Sequence, residues 1–282
     1  MAATAYPSLG TRPSPEWRVA RPVVLLHGFA STPHMLALVA RHVRVHLKRP
    51  LLRPNLGLGF GDLARAAERV HAAIAASSAR EVDVVGHSLG GVVATYLLKR
   101  LDRGRRVRRV VTLGAPHMGA PLAWLGMAAT LGLSTAMSQL RPGSAFLAEL
   151  SAAPVPAGSE LFALAGEADA VVPERFAGLD SAPRQHSIVL AGLDHLRLIF
   201  HPAALDQVGE LLSADGVSRR LESRLGLCPQ APSVRLDDGR TGFGSTATSR
   251  GRRRERAPIV REPSTKSLRS SSPGRSSAWA RR

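Results

Sequence analysis

The chain of 282 residues is 44% apolar and only 4% aromatic, and its formal net charge is +17. This length suits one large globular domain and is short for three, and the single cysteine, Cys228, excludes an intrachain disulfide. Sixteen Arg or Lys and five Asp or Glu fall in residues 216–282, so most of the excess charge belongs to that region. Because only Phe243 and Trp279 supply aromatic rings there, the charge does not predict nucleic-acid binding.

Strands and helices alternate along the first part of the chain. An apolar run over residues 19–26 predicts a buried strand that ends before a His-Gly pair. Helical spacing of apolar residues follows over residues 33–48 and again over residues 62–76. The Pro- and Gly-rich residues 50–61 between those helices leave room for at most a short strand.

The same alternation continues to about residue 212. We expect strands over residues 82–85, 107–113, 161–165 and 187–191, and helices over residues 92–101 and 203–212. Such alternation predicts an α/β fold, with a mostly parallel sheet and helices on both faces. Because ligands bind outside the carboxyl ends of parallel strands, residues that directly follow the predicted strands are the first candidates for a site.

Residues 115–156 interrupt the alternation and predict a short helical insertion. The segment is rich in Ala, Leu, Gly and Pro, and it directly follows a predicted strand. It has too many apolar side chains for a free surface loop, so they either cover the core or form a lid beside the site. In the lid interpretation, Trp124 and Met127 bind the substrate by apolar contact.

We expect residues 1–215 to form a single domain and residues 216–282 to form a basic tail rich in Ser, Arg, Pro and Gly. The tail lacks apolar periodicity, so the sequence predicts that it is disordered and that it contacts anionic membranes only weakly. The N-terminal residues lack the basic and apolar regions of a signal peptide. No stretch of the sequence has the uncharged apolar run of about 18 residues that a membrane span needs. A cytoplasmic location is therefore predicted.

A serine motif, GHSLGG over residues 86–91, lies between a predicted strand and a predicted helix. A G-x-S-x-G motif in this context is typical of a nucleophile elbow, a sharp turn that exposes a serine hydroxyl above the sheet. Gly86 and Gly90 leave space for the turn, and Gly91 lets the helix approach closely. The positive end of that helix favours developing negative charge, so Ser88 is the candidate nucleophile.

Two backbone amides are candidates for an oxyanion hole. The loop after the first predicted strand contains His27, Gly28 and Phe29. In proteins with a nucleophile elbow, that loop supplies one backbone N–H donor, and the residue after the nucleophile supplies the other. We therefore expect the amides of Phe29 and Leu89 to donate. His27 precedes the serine, and we interpret it as part of the loop rather than as the base.

An acid and a base are expected after the serine, in that chain order. Asp169 and His195 each follow a predicted strand, and one strand separates them. We expect Asp169 to orient the imidazole of His195, and His195 to accept the serine proton. Glu167 remains an alternative acid, and His186 remains an alternative base.

The other histidines form no convincing metal site. His42 and His46 are four residues apart on a predicted helix, without a third ligand nearby, so we interpret them as a solvated helix face. The sequence predicts no metal and no cofactor, since a serine, an acid and a base perform acyl transfer without either.

With these motifs together, the chain resembles α/β-hydrolases of the lipase and esterase family. Residues 82–91 and 110–121 are similar to small bacterial triacylglycerol lipases and to GPI inositol-deacylase-like proteins, and residues 139–147 resemble a downstream stretch of those relatives. The resemblance runs from about residue 23 to residue 212 and implies the α/β-hydrolase fold and a role in lipid metabolism. It also implies the same functional residues, namely Ser88, Asp169 and His195 as triad and Phe29 and Leu89 as oxyanion donors.

Three functions fit these residues. The first is a serine hydrolase that cleaves carboxylic esters, with a small acyl ester or a lipid as substrate. The second is an acyltransferase with the same triad, in which an alcohol other than water resolves the acyl-enzyme. The third is a non-catalytic binding module on the same fold, against which the complete Ser, Asp and His set argues.

Overall fold

The structure of the protein is a computed structural model that describes residues 21–123, 134–180 and 182–213. The predicted substrate residues Trp124 and Met127 and the predicted tail lie outside the described residues, so those expectations stay predictions. In the described part of the chain, no helix combines the length and the hydropathy needed to cross a membrane.

Six strands of the described residues form one sheet. They are β1 (Val23–Leu26), β2 (Leu51–Leu52), β3 (Val82–His87), β4 (Val107–Leu113), β5 (Glu160–Gly166) and β6 (Gln185–Leu190). Their order across the sheet is β2-β1-β3-β4-β5-β6, and every neighbouring pair is parallel. The carboxyl ends of all six strands therefore lie along one edge of the sheet, as the prediction of a mostly parallel sheet requires.

Helices connect the strands. They are α1 (Ala37–Val45), α2 (Leu63–Ala76), α3 (Leu89–Tyr96), α4 (Thr135–Gln139), α5 (Ala145–Ala152), α6 (Glu174–Ala177) and α7 (Pro202–Ser213). Short 3₁₀ turns cover Pro33–Leu36 and Arg197–Ile199, and a π-helical turn, Leu97–Asp102, continues α3. The described part of the predicted insertion contains two short helices, α4 and α5.

Apolar side chains of the strands alternate between two cores, one on each face of the sheet. Val24 and Leu26 of β1 pack in the core that α2 and α3 cover. Val23 and Leu25 of the same strand pack in the core that α1 and α7 cover. Because helices cover both faces, the central strands must be apolar on both sides, which explains their continuous apolar runs in the sequence.

Most element boundaries differ somewhat from the sequence-based expectation, and the starts of β1 and α3 are two examples. β1 begins at Val23 rather than at residue 19, since Pro22 has no N–H to donate to a neighbouring strand. α3 begins at Leu89, three residues before the predicted start. The chain passes from β3 into α3 through Ser88 alone, so the turn that carries the candidate nucleophile is as short as it can be.

Candidate active site

Ser88 lies in a strained turn between β3 and α3. Its φ of 53° and ψ of −125° fall outside the regions that residues with a side chain commonly adopt. The Ser88 amide donates to the carbonyl of Leu113 at the end of β4, at 2.9 Å, and the Ser88 carbonyl accepts from the Gly91 amide at 2.8 Å. These two hydrogen bonds fix the turn to the neighbouring strand and to the first turn of α3.

The elbow glycines are needed for space. A Cβ atom on Gly86 would lie 2.5 Å from the Gly90 carbonyl oxygen, and one on Gly90 would lie 2.4 Å from the carbonyl oxygen of Leu26. A Cβ atom on Gly91 would lie 2.5 Å from the Cβ atom of Ala115. These separations are shorter than non-bonded contacts allow. Side chains at the three positions would therefore push α3 away from the sheet and move Ser88.

Asp169 and His195 form a buried hydrogen-bonded pair. Asp169 follows β5, His195 follows β6, and the Asp169 Oδ2 and His195 Nδ1 atoms are 2.7 Å apart. Only 4% of Asp169 and 9% of His195 is exposed. With the carboxylate as acceptor, Nδ1 carries the proton and Nε2 is left with a free lone pair. The second carboxylate oxygen accepts from the amides of Val171, at 2.9 Å, and Val172, at 2.8 Å.

Glu167 and His186, the alternative acid and base, have other partners. Glu167 is exposed, and its carboxylate accepts from the Gly192 amide at 2.9 Å. His186 lies on β6, where its ring stacks on that of Phe162 with centroids 4.9 Å apart. The structure therefore pairs His195 with Asp169 rather than with Glu167, although both acidic residues follow the same strand.

Gly114, which follows β4, leaves room for the Asp169–His195 pair. Its φ is 58°, and a Cβ atom there would lie 3.0 Å from His195 Nδ1 and 3.1 Å from Asp169 Oδ2. A side chain at this position would strain the backbone and press on both members of the pair. No sequence pattern assigned Gly114 a role, although it lies in the segment over residues 110–121 that resembles lipases.

The loop that leads into Phe29 and the first residue of α3, Leu89, both lie beside the candidate nucleophile. A Cβ atom on Gly28 would lie 3.2 Å from the Cβ atom of Ser88, so the loop that leads into Phe29 passes directly beside the serine. The Phe29 ring packs edge-on against Phe60, with centroids 4.9 Å apart. Leu89 is the first residue of α3, and the first amides of a helix have no acceptor within it.

His27 supports the loop that carries Phe29. The side chain is completely buried, and its Nε2 atom accepts from the Leu56 amide at 3.0 Å. Nδ1 must then carry the proton, and it donates to the Gly28 carbonyl at 3.0 Å. His27 thus joins the loop after β1 to the loop after β2, which agrees with its interpretation as a loop residue.

His87, the residue before the candidate nucleophile, was not singled out by the sequence. It is 6% exposed, and its Nε2 atom donates to the backbone carbonyl of His195 at 3.1 Å. The two imidazole centroids are 4.7 Å apart. Burial, assisted by the nearby His195, lowers the pKa of His87 to about 4. Its ring is therefore uncharged at neutral pH, with the proton on Nε2.

Exposed apolar side chains are concentrated on the loops that follow the carboxyl ends of the strands. Among the described residues, four of the eleven large exposed apolar side chains lie on α1, on β6 or just before α7, namely Leu38, Val45, Val189 and Phe200. The other seven are Met35 after β1, Leu58 and Phe60 after β2, Met118 and Leu122 after β4, Val171 after β5, and Leu196 after β6. Their exposed fractions range from 40% to 59%. This set, which we call the apolar rim, lies at the same edge of the sheet as Ser88, Asp169 and His195.

Residues 23–149 match a family model described as the alpha/beta hydrolase family. Among solved structures, the chain is similar to a hydrolase from Pseudomonas aeruginosa PA01, with a TM-score of 0.57 and 19% identity over 72% of this chain and 92% of that one. It is also similar to the mature form of a Bacillus licheniformis lipase, with a TM-score of 0.55 and 20% identity over 72% of this chain and 95% of that one. For naproxen esterase, a carboxylesterase from Bacillus subtilis, the TM-score is 0.52 and the identity 16%, over 69% of this chain and 84% of that one.

The protein therefore has the α/β-hydrolase fold, as the sequence predicted. At these identities the likeness defines the fold, and any inference about activity depends on the site. The narrower likeness to GPI inositol-deacylase-like proteins stays a prediction.

Proposed function

We propose that the protein is a serine hydrolase that cleaves carboxylic esters through an acyl-enzyme. The observation that carries this proposal is the buried Asp169–His195 hydrogen bond of 2.7 Å, at the sheet edge where the strained turn presents Ser88. A nucleophile, a base and an acid that orients the base are the three groups that this chemistry needs. The similar structures include a lipase and an esterase, which supports the same class of reaction.

Acylation uses all three side chains. The Ser88 Oγ atom attacks the ester carbonyl while His195 Nε2 takes the hydroxyl proton, and Asp169 stabilises the imidazolium that forms. The amides of Phe29 and Leu89 donate to the oxyanion of the tetrahedral intermediate, and one such donor lowers the barrier by about 3–4 kcal/mol. When the intermediate collapses, the imidazolium returns its proton to the leaving alkoxide, so that an alcohol departs and the acyl group stays on Ser88.

Deacylation repeats these steps with water. His195 Nε2 takes a proton from a water molecule, and the resulting hydroxide attacks the acyl carbonyl. Collapse of the second tetrahedral intermediate breaks the bond to Ser88, whose oxygen recovers the proton from the imidazolium. A carboxylic acid is released, and the enzyme returns to its starting state.

The apolar rim supports an ester with an apolar acyl chain as substrate. Each CH₂ group that leaves water for such a surface contributes about 0.8 kcal/mol, so longer acyl chains gain binding energy. We therefore expect kcat/KM to rise from two-carbon to medium-chain esters. A chain-length series of p-nitrophenyl esters measures this preference, and a preference for acetate would indicate a short-chain esterase instead.

Labelling with a fluorophosphonate probe tests the proposed nucleophile. Wild-type protein and the control variant Ser31→Ala, which changes a serine in the loop after β1, should react with the probe and release free carboxylic acid from an ester. Ser88→Ala should neither react with the probe nor release free acid, and its unfolding temperature should be similar to that of wild type. Labelling that persists in Ser88→Ala would place the nucleophile elsewhere, and an unreactive wild type would favour the non-catalytic binding module. Ester product in place of free acid, when an alcohol is added, would favour the acyltransferase.

A further inference from the structure

We infer that His87 is a positioning residue. Its imidazole fixes the position of the His195 backbone relative to the loop beside Ser88. This inference rests on the proposed function, because it assigns the support of the proposed base. His87 itself would not touch the substrate. Its effect passes through His195 and through the loop that carries Phe29.

The first contact of His87 is with the segment that carries His195. His87 and Val85 point to the same face of β3, since side chains alternate along a strand. On that face Leu193 and Leu198, which flank His195, pack into the core with Val85. The His87 Nε2–H group donates to the His195 carbonyl at 3.1 Å. His87 thus adds a hydrogen bond to a segment that is also held by apolar packing, by a hydrogen bond from the Ala168 amide to the Leu193 carbonyl, and by the Asp169–His195 pair.

His87 also lies close to the oxyanion loop. A Cβ atom on Gly28 would lie 3.3 Å from His87 Nδ1 and 3.2 Å from Ser88 Cβ, so the Gly28 backbone passes close to both side chains. The imidazole therefore binds the segment of the base and lies close to the loop of an oxyanion donor. A change in the shape or hydrogen bonding of His87 would shift both relative to the serine that follows it.

The charge state of His87 suits this role. His195 becomes positively charged in each half of the proposed reaction, and a second imidazolium 4.7 Å away would oppose that charge. Burial and the nearby His195 keep the pKa of His87 at about 4, against an opposing contribution from Asp169 and from the hydrogen bond to the His195 carbonyl. At neutral pH, His87 is therefore an uncharged donor that does not compete with the base.

Two substitutions of similar size separate the hydrogen bond from simple packing. His87→Gln keeps an N–H donor, whereas His87→Met fills similar space without one. In the full-length protein we expect His87→Met to lower kcat about 10- to 100-fold, because small misplacements of catalytic groups have effects of this size. KM should change little, and the rate of fluorophosphonate labelling should fall in parallel with kcat. His87→Gln should recover most of both rates.

His117 offers a matched control. It is also buried, and its Nε2 atom donates to Thr112 Oγ1 at 3.0 Å, a bond that involves no residue of the candidate site. His117→Met should lower the unfolding temperature about as much as His87→Met does, but should leave kcat near the wild-type value. Equal losses of kcat in the two Met variants would mean that any lost buried hydrogen bond has this effect, and would overturn the inference.

The remaining outcomes are also decisive. Labelling of wild type but not of Ser88→Ala supports the proposed function. With that result, the positioning role is wrong if His87→Met retains full kcat, or if His87→Gln loses as much kcat as His87→Met does. If Ser88→Ala is still labelled, the proposed function fails whatever the His87 variants show.

If His87→Met does not fold, ¹⁵N NMR of histidine-labelled wild type still tests the inference at neutral pH. It should show a neutral His87 with the proton on Nε2, and a proton on Nδ1 would contradict it.

Discussion

Asp169 uses both of its carboxylate oxygens, one for the imidazole of His195 and the other for two backbone amides of the next turn. The amides fix the carboxylate, and the carboxylate fixes the ring orientation and the tautomer of the proposed base. Glu167 is two residues away and binds the Gly192 amide instead. At the scale of single residues, the proposed acid is therefore distinguished by its partners rather than by its residue type.

Asp169→Asn and Glu167→Gln form a matched pair that tests this distinction. Asp169→Asn should lower kcat about 10⁴-fold, because the neutral amide favours the wrong imidazole tautomer and no longer stabilises the imidazolium. Glu167→Gln retains an oxygen that accepts from Gly192, and a surface change of this kind should alter kcat by no more than about twofold. Steady-state kinetics on one ester measures both. The reverse order of effects would make Glu167 the acid.

Gly114→Ala should impair the site through a single added methyl group. The Cβ atom would lie 3.0 Å from His195 Nδ1 and 3.1 Å from Asp169 Oδ2, so we expect a loss of kcat of about 10²-fold from displacement of the pair. The control is Gly143→Ala, at a glycine with a φ of 75° and no atom within 4 Å of the added Cβ.

The backbone penalty of about 1–2 kcal/mol for a left-handed residue is common to both variants. Urea unfolding should therefore show that the left-handed backbone costs both variants a similar amount of stability. Only Gly114→Ala should also lose activity. A normal kcat in a folded Gly114→Ala protein would show that the pair tolerates the methyl group.

At the scale of elements, Arg49 joins two strands and a helix at the opposite edge of the sheet. Its guanidinium donates to Asp83 Oδ2 on β3 at 2.7 Å, to the carbonyl of Arg21 before β1 at 2.6 Å, and to the carbonyl of Leu212 in the last turn of α7 at 3.1 Å. The Asp83 side chain is completely buried. Burial raises the pKa of Asp83, even though Arg49 and Arg21 oppose the shift. Arg49 thus compensates a charge that the core cannot solvate.

Arg49→Ala should lower the free energy of unfolding at pH 7 by about 3–5 kcal/mol, because it leaves Asp83 buried without its main partner. The loss should shrink as the pH falls towards 5. Arg49 opposes the raised pKa of Asp83, so without Arg49 this pKa rises further and the folded variant takes up the proton at a higher pH than the folded wild type. Protonation then removes the unpaired buried charge and stabilises the variant more than the wild type. Urea unfolding at the two pH values measures this difference.

The control for this prediction is Arg197→Ala. Arg197 and Asp194 are 3.5 Å apart, with 54% and 50% of their side chains exposed, and such pairs contribute at most about 1 kcal/mol. We expect a small loss of stability that changes little between the two pH values. An equally small loss for Arg49→Ala would show that Arg21, 3.6 Å from Asp83, suffices to compensate the buried charge.

At the scale of the whole molecule, residues 23–212 contain both apolar cores. The core on the α2 and α3 side and the core on the α1 and α7 side together include no described residue beyond Leu212. The last helix, α7, closes the second core through Val208, Leu211 and Leu212, which are buried.

A chain that ends at Ser213 should therefore fold and retain its ester turnover. A chain that ends at His201 lacks α7 and should not fold, because it exposes part of the second core and removes the Leu212 carbonyl that Arg49 binds. Circular dichroism, thermal unfolding and ester hydrolysis compare the two chains with the full-length protein. An unfolded or inactive product that ends at Ser213 would show that residues after it are needed.

The sequence by itself determined the order and type of the main elements, although not the short helix α6. β4 has the bounds predicted for it, and α2 differs from its prediction by one residue at the start, where Asp62 caps the helix by accepting from the Arg65 amide. Apolar periodicity, capping residues and turn glycines act within a few positions of the chain, so they can be read without knowledge of the fold. The candidate residues Ser88, Asp169 and His195 were identified for the same reason, because each comes shortly after a predicted strand.

Only the tertiary structure decided which of these residues meet. Glu167 and Asp169 follow the same strand, and local sequence cannot tell which of them turns towards His195. The contact of His87 with His195 spans 108 positions of the chain, and the need for Gly114 arises from side chains that follow β5 and β6. Such contacts depend on strand order and on the packing of loops over the sheet edge. They involve residues that are distant in sequence, whose proximity no local pattern reports.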